Sequence, residues 1–86
     1  MMFMGSDPST GKKRMNYQVK MIWDPESAVW IATSEDVPGL ILESGPFDVL
    51  VERVRYAVPE LLEINGEKHD TYNLTYFTQR EDQVAV

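Results

Sequence analysis

Residues 29–40 constrain this chain more than any other stretch. Val29-Trp30-Ile31-Ala32-Thr33 is an unbroken apolar and β-branched run with the length of a buried strand. It leads through Ser34-Glu35-Asp36 into Val37-Pro38-Gly39-Leu40. Proline presets the second position of a turn and glycine accepts the positive φ of the third, which are the requirements of a type II turn. The chain reverses there, and a second apolar run, Leu40-Ile41-Leu42, pairs back on the first. The direction of a sheet is set before any helix is added.

The rest of the chain extends that hairpin. Tyr17, Val19, Met21 and Trp23 alternate with Gln18, Lys20 and Ile22, the period of a strand with one buried face, so strand one is expected over 17–23. Asp24-Pro25-Glu26-Ser27 turns it into strand two over 28–33, and strand three over 40–43 completes an antiparallel meander. Ser44-Gly45-Pro46 opens a helix, with Ser44 or Gly45 as N-cap, proline in the first turn and Asp48 favourable to the helix dipole. Phe47, Leu50, Val51, Val54, Ala57, Val58, Leu61 and Leu62 follow a helical period, with Glu52, Arg53, Arg55, Glu60 and Glu63 turned elsewhere. Pro59 removes one backbone bond and crowds the Arg55 carbonyl, which predicts a kink, or a break before a short second helix to Ile64. Asn65-Gly66 stops the helix, and Tyr72-Asn73-Leu74-Thr75-Tyr76-Phe77-Thr78 supplies strand four. The expected fold is α+β in the order β-β-β-α-β, a mostly antiparallel sheet with one kinked helix packed on one face.

One helix leaves the other face to be explained. Both parities of strand two are apolar, Ala28, Trp30 and Ala32 against Val29 and Ile31, and strand four opposes Phe77 to Tyr72, Leu74 and Tyr76. A second copy of the chain is the economical cover, so a homo-oligomer, in the first place a dimer, is expected. Trp23, Trp30, Tyr72 and Tyr76 are the candidate interface residues, with an aromatic ligand shelf as the alternative use of the same rings.

Composition narrows the function. With 86 residues and no cysteine, one small core must hold the fold without disulfides or thiolate metal sites, and a reducing cytoplasm is the expected setting. Residues 1–14, rich in Gly, Ser, Pro and basic side chains, are expected as a disordered arm, and residues 15–86 as the folded domain. Lys12, Lys13 and Arg14 against Asp7 leave that arm at +2, so of the net −6 the remainder carries −8. Such a body repels phosphate backbones, which argues against direct nucleic-acid binding, and its acidity is expected in the first place to serve solubility and in the second to attract a basic protein. No apolar run is long enough to span a membrane.

Catalytic constellations are lacking. The single histidine, His69, falls in a polar loop and is expected to be a solvated residue; without cysteine it completes no triad and no histidine-rich metal site. Asp24, Glu26, Glu35 and Asp36 gather at turns and are expected as solvated or capping residues, because a hard cation needs ligands converging on one point. The five glycines form no phosphate loop. No catalytic residue, metal or cofactor is expected.

The segments Tyr17-x-Val19, Trp23-Asp24-Pro25-Glu26, Val29-Trp30-Ile31-Ala32, Asp36-Val37-Pro38-Gly39-Leu40 and Val58-Pro59-Glu60-Leu61-Leu62-Glu63-Ile64-Asn65 together resemble the HicB-like superfamily. Within it the paired tryptophans and the Pro-Glu-Leu-Leu segment are most similar to the branch called domain of unknown function 1902, over about residues 17–78. The resemblance implies a degraded ribonuclease H-like fold and, from better-known relatives, the antitoxin half of a type II toxin–antitoxin pair that masks a small, basic, RNA-cleaving toxin. Many relatives carry an added DNA-binding domain, and the residues after strand four are too few for one. Active ribonuclease H-like sites hold two metal ions with carboxylates from the first strand, the helix and the last core strand. Residues 17–23 and 72–79 contain no acid, so a non-catalytic protein-interaction domain is the expected function, with a small-ligand or structural role as the alternative.

Overall fold

The computed structural model describes residues 16–85; the arm expected over residues 1–14 lies outside them. The elements follow the order β1 (Asn16–Asp24), β2 (Val29–Thr33), β3 (Ile41–Ser44), α1 (Phe47–Ile64) and β4 (Asn73–Gln79). In β1 the alternation is strict: Tyr17, Val19 and Met21 are buried and their neighbours exposed. The helix sends Leu50, Val54, Val58 and Leu62 onto that face, all at i, i+4 spacing. These residues, with Ala32, Val37 and Leu40, are the core.

The turn that organises the hairpin forms as its residues require. Leu40 N–H donates to the Val37 carbonyl at 3.2 Å, and Gly39 has φ +88°. A Cβ at Gly39 would meet Leu61 Cδ2 at 3.6 Å, an ordinary contact, so it is the backbone angle and not lack of room that calls for glycine. Just before the turn, β2 ends at Thr33, opposite Lys20. Loop side chains continue the ladder from there: Ser34 Oγ donates to the Gln18 carbonyl at 2.6 Å, and Asp36 Oδ2 accepts from Gln18 N–H at 2.8 Å. The same serine hydroxyl accepts from the N–H groups of Asp36 and Val37.

The sheet is mixed, not mostly antiparallel. Its order is β3-β2-β1-β4, with β1–β2 and β2–β3 antiparallel but β1–β4 parallel over seven residue pairs. The helix is the reason. Its 18 residues rise about 27 Å, carrying the chain back to the end of the sheet from which β3 started. The next strand must then run with β3, and β3 already runs with β1.

One local expectation is narrowed and another corrected. Helix α1 runs from Phe47 to Ile64 as one element through Pro59, as the one-helix expectation has it, without the break offered as the alternative. Val54 and Val58 before the proline and Leu62 after it are all fully buried, so burial of one continuous stripe outweighs the lost hydrogen bond, which costs about 3 kcal/mol in an isolated helix. The N-cap is Pro46 and not Ser44 or Gly45, and no side chain caps the first turn. Ser44 is taken up in β3, opposite Trp30. At the other end Gly66 has φ +87°, Gly66 N–H reaches the Glu63 carbonyl and Glu67 N–H the Leu62 carbonyl, the double closure of a Schellman motif.

Candidate functional site

The register of the strands decides which side chains share a face. Met21 lies opposite Ala32 and Trp23 opposite Trp30, on the helix side. Lys20 opposite Thr33, and Ile22 opposite Ile31, belong to the other side. The parallel pair adds Phe77 beside Lys20 and Gln79 beside Ile22, and β3 adds Ile41 and Glu43. Among the described residues no helix covers this side: Ile41 is 71% exposed, Phe77 51% and Ile22 38%. An open apolar face on a small domain is a candidate interaction surface.

The four rings singled out from sequence lie elsewhere. Trp23 and Trp30 meet edge to face at 5.4 Å, Trp30 meets Phe47 of the helix at 4.9 Å, and the Arg80 guanidinium stacks over Trp23 at 4.2 Å. Tyr72 packs against Tyr17 with centroids 6.1 Å apart, and Tyr76 stands beside buried Val19. Trp30, Tyr72 and Tyr76 all rest against the core, so these rings form two groups on the helix side and none lies on the open face. Parity alone could have placed Trp23 there, since it shares the odd-numbered face of Tyr17, Val19 and Met21.

Tyr76 carries an unusual hydroxyl. Its oxygen is buried without a hydrogen-bond partner. Burial pushes the phenol pKa up from 10.0; the nearby Arg55 charge opposes this and Glu52 adds to it.

His69 is not the solvated loop residue expected. Its side chain is 9% exposed, its ring meets Tyr72 edge to face at 5.4 Å, and Nε2 sits 4.0 Å from Glu67 Oε1 without a hydrogen bond. Tyr17 donates to the same Glu67 oxygen at 2.7 Å, and His69 N–H donates to the Tyr72 hydroxyl at 2.9 Å. The Schellman turn delivers Glu67 to Tyr17, and the loop after it folds inward on Tyr72. This cluster closes the connection between α1 and β4.

The carboxylates stay apart. Among the described residues no three His, Asp or Glu side chains come together as metal ligands. The structure extends β1 by one residue to Asp24, whose Oδ1 accepts from Glu26 N–H within the β1–β2 turn. A shallow cleft of about 550 Å³ does open on the uncovered face, lined chiefly by Gln18, Lys20, Thr33, Asp36 and Phe77. None of the four candidate rings borders it. No helix among the described residues is long and apolar enough to cross a membrane.

Known proteins add a family. Residues 16–85 match the family model described as a domain of unknown function (DUF1902). The crystal structure of hypothetical protein TTHA1013 from the extremely thermophilic bacterium Thermus thermophilus is similar, with 32% sequence identity, 83% of this chain and 99% of that one covered, and a TM-score of 0.63. No curated protein matches. With its sheet, helix and connecting turns all inside the matched segment, the chain belongs to the DUF1902 family.

Proposed function

We propose that this chain is a non-catalytic protein-interaction domain of HicB-like type, comparable to the antitoxin half of a toxin–antitoxin pair, whose partner is a small basic protein. The element order β-β-β-α-β agrees with what the resemblance to HicB-like domains implies. The observation that carries the reading is uncompensated negative charge. Residues 16–85 hold 13 acids against five Lys and Arg. Ion pairs among the described residues do little to offset this: Arg55–Glu52 at 4.0 Å and Lys68–Glu63 at 3.9 Å are exposed and loose. A field of that sign steers a basic protein toward the surface and repels phosphate backbones.

The chemistry of the acids supports a binding role over a nuclease. Most sit at turns, on the outer helix surface and in the tail, and Asp24 and Asp36, in the turns, serve backbone N–H groups. The surroundings of the rings do not favour the aromatic shelf of the small-ligand alternative: Trp30, Tyr72 and Tyr76 pack against the core, Trp23 packs on Trp30 under Arg80, and none borders the cleft lined by Lys20 and Phe77.

Affinity capture of the tagged chain from host lysate, at low and at moderate salt, tests the proposal. The expected result is a small basic protein that is retained at low salt, elutes as salt rises, and rebinds the purified chain. Recovery of nothing but the chain itself would sink the reading, as would cleavage of RNA by the purified chain with magnesium.

A further inference from the structure

We propose that the open sheet face is covered by a second copy of this chain, the two sheets packing face to face about a two-fold axis that runs parallel to the strands, between β1 and β2. The basic-protein reading is independent of this, since the acidic outer surface of α1 lies on the opposite side of the molecule.

The argument comes from the order of side chains across the strands. One row, read from β3 to β4, is Ile41, Thr33, Lys20, Phe77; the next is Glu43, Ile31, Ile22, Gln79. The first row is apolar at its ends and polar in its middle, and the second is the reverse. Each row therefore matches itself when read backwards. A two-fold axis between β1 and β2 performs that reversal: Ile41 falls over Phe77 of the second copy and Ile31 over its Ile22, while Thr33 meets Lys20 and Glu43 meets Gln79. Apolar groups face apolar groups, and neither charge meets its like. A two-fold axis across the strands instead puts Lys20 over Ile22 and Glu43 over Ile41, burying both charges against hydrocarbon. Within these two central rows the first packing is the better matched; it also sets Asp24 over Val29 of the second copy, at the strand ends where both are partly exposed.

Charge and size are consistent with it. Each copy is strongly acidic overall, but these two central rows hold one Lys and one Glu and are neutral, the further acids of this face, Asp24 and Asp36, lying at opposite ends of the strands. Four strands about 4.8 Å apart make a face about 19 Å wide, and two such sheets pack about 10 Å apart. The area is smaller than that of a standard interface of about 1,600 Å², so the dimer is weak and must be sought at high concentration.

Sedimentation velocity on the full chain, from low micromolar to millimolar, is the primary experiment. The expected result is a monomer–dimer equilibrium that Ile31→Asp weakens at least tenfold and Tyr56→Ser, on the outer surface of the helix, leaves unchanged. Circular dichroism checks that Ile31→Asp is folded; Phe77→Ser, at an already exposed position, replaces it if it is not. Because the chain has no cysteine, mixing Ile41→Cys and Phe77→Cys proteins with a short bis-maleimide reads the geometry, and a 41–77 adduct in excess of 41–41 is expected. A monomer at every concentration overturns the proposal, whether residues 1–15 or another protein then covers the face. So does a dimer lost in Tyr56→Ser but kept in Ile31→Asp, or a dominant 41–41 adduct. If Ile31→Asp abolishes capture of a basic partner while the unmodified chain stays monomeric, the face belongs to that partner and the second copy is excluded.

Discussion

Met21 and Ile22 are neighbours in β1 and live in opposite surroundings. Met21 is fully buried on the helix side, while Ile22 is 38% exposed on the open side. The whole sheet repeats this contrast. On the helix side, apolar positions from every strand meet a stripe of four buried helix residues, and the polar atoms near them are mostly tied into the Glu67 cluster or the Ser34 loop. On the open side, Ile22, Ile41 and Phe77 stand among Lys20, Thr33, Glu43 and Gln79 with nothing described above them. The packed side makes the fold, and the open side is available for association. Core burial and surface exposure are therefore separated in this protein by parity along a strand.

The sharpest way to break that separation is a pair of adjacent substitutions. Met21→Ala is expected to destabilise the monomer by about 2–5 kcal/mol and Ile22→Ala by less than about 1 kcal/mol, measured by urea unfolding at low protein concentration. Equal losses would mean that the open face is covered within one chain. A smaller effect sits at the turn on which the packed side depends: Gly39→Ala should lose about 1–2 kcal/mol through the φ of +88°, with little contribution from crowding.

Tyr76 sharpens the comparison from within the packed side, because its buried hydroxyl lacks a partner. Tyr76→Phe is expected to stabilise the chain by about 1 kcal/mol near neutral pH. Its pKa also sets an alkaline limit. The folded chain holds the phenolic proton more tightly than the unfolded chain, so stability from this group is full below 10.0 and falls as pH rises above it toward the raised folded value. Urea unfolding across that range should show a steeper alkaline decline in the unmodified chain than in Tyr76→Phe. The smallest effect belongs to the open side: Ile41→Thr keeps a β-branched side chain at a 71% exposed position and should change monomer stability by no more than about 0.5 kcal/mol.

Much of this arrangement can be read from local pattern. The alternation through Tyr17, Val19, Met21 and Trp23 marks β1 and its buried side, and Pro38-Gly39 marks the reversal that makes β2 and β3 antiparallel. The helical period from Leu50 to Leu62 marks the face that α1 presents to the sheet. What was not legible was where distant elements come to rest. Nothing near Tyr72 says that β4 pairs with β1, and in parallel. His69 sits among charged neighbours in a loop, and what covers its ring is Tyr72, three residues on and itself packed against Tyr17 of β1. The aromatic candidates lie away from the open face for a related reason. In sequence, large rings count as surface in excess of what one helix can cover, whereas the loops and the tail supply cover: Tyr72 for Tyr17, and Arg80 for Trp23.

The residues alone decided the strands, the turn at Val37-Pro38-Gly39-Leu40, the helix and its end, and the acidic character of the body, because each depends on neighbours within a few positions. The tertiary structure decided the mixed sheet, the unbroken passage of α1 through Pro59, the burial of His69 and the identity of the uncovered side chains. Those outcomes depend on which surfaces meet across the whole chain. Burial shared among several elements can outweigh a single local preference, as it does at Pro59.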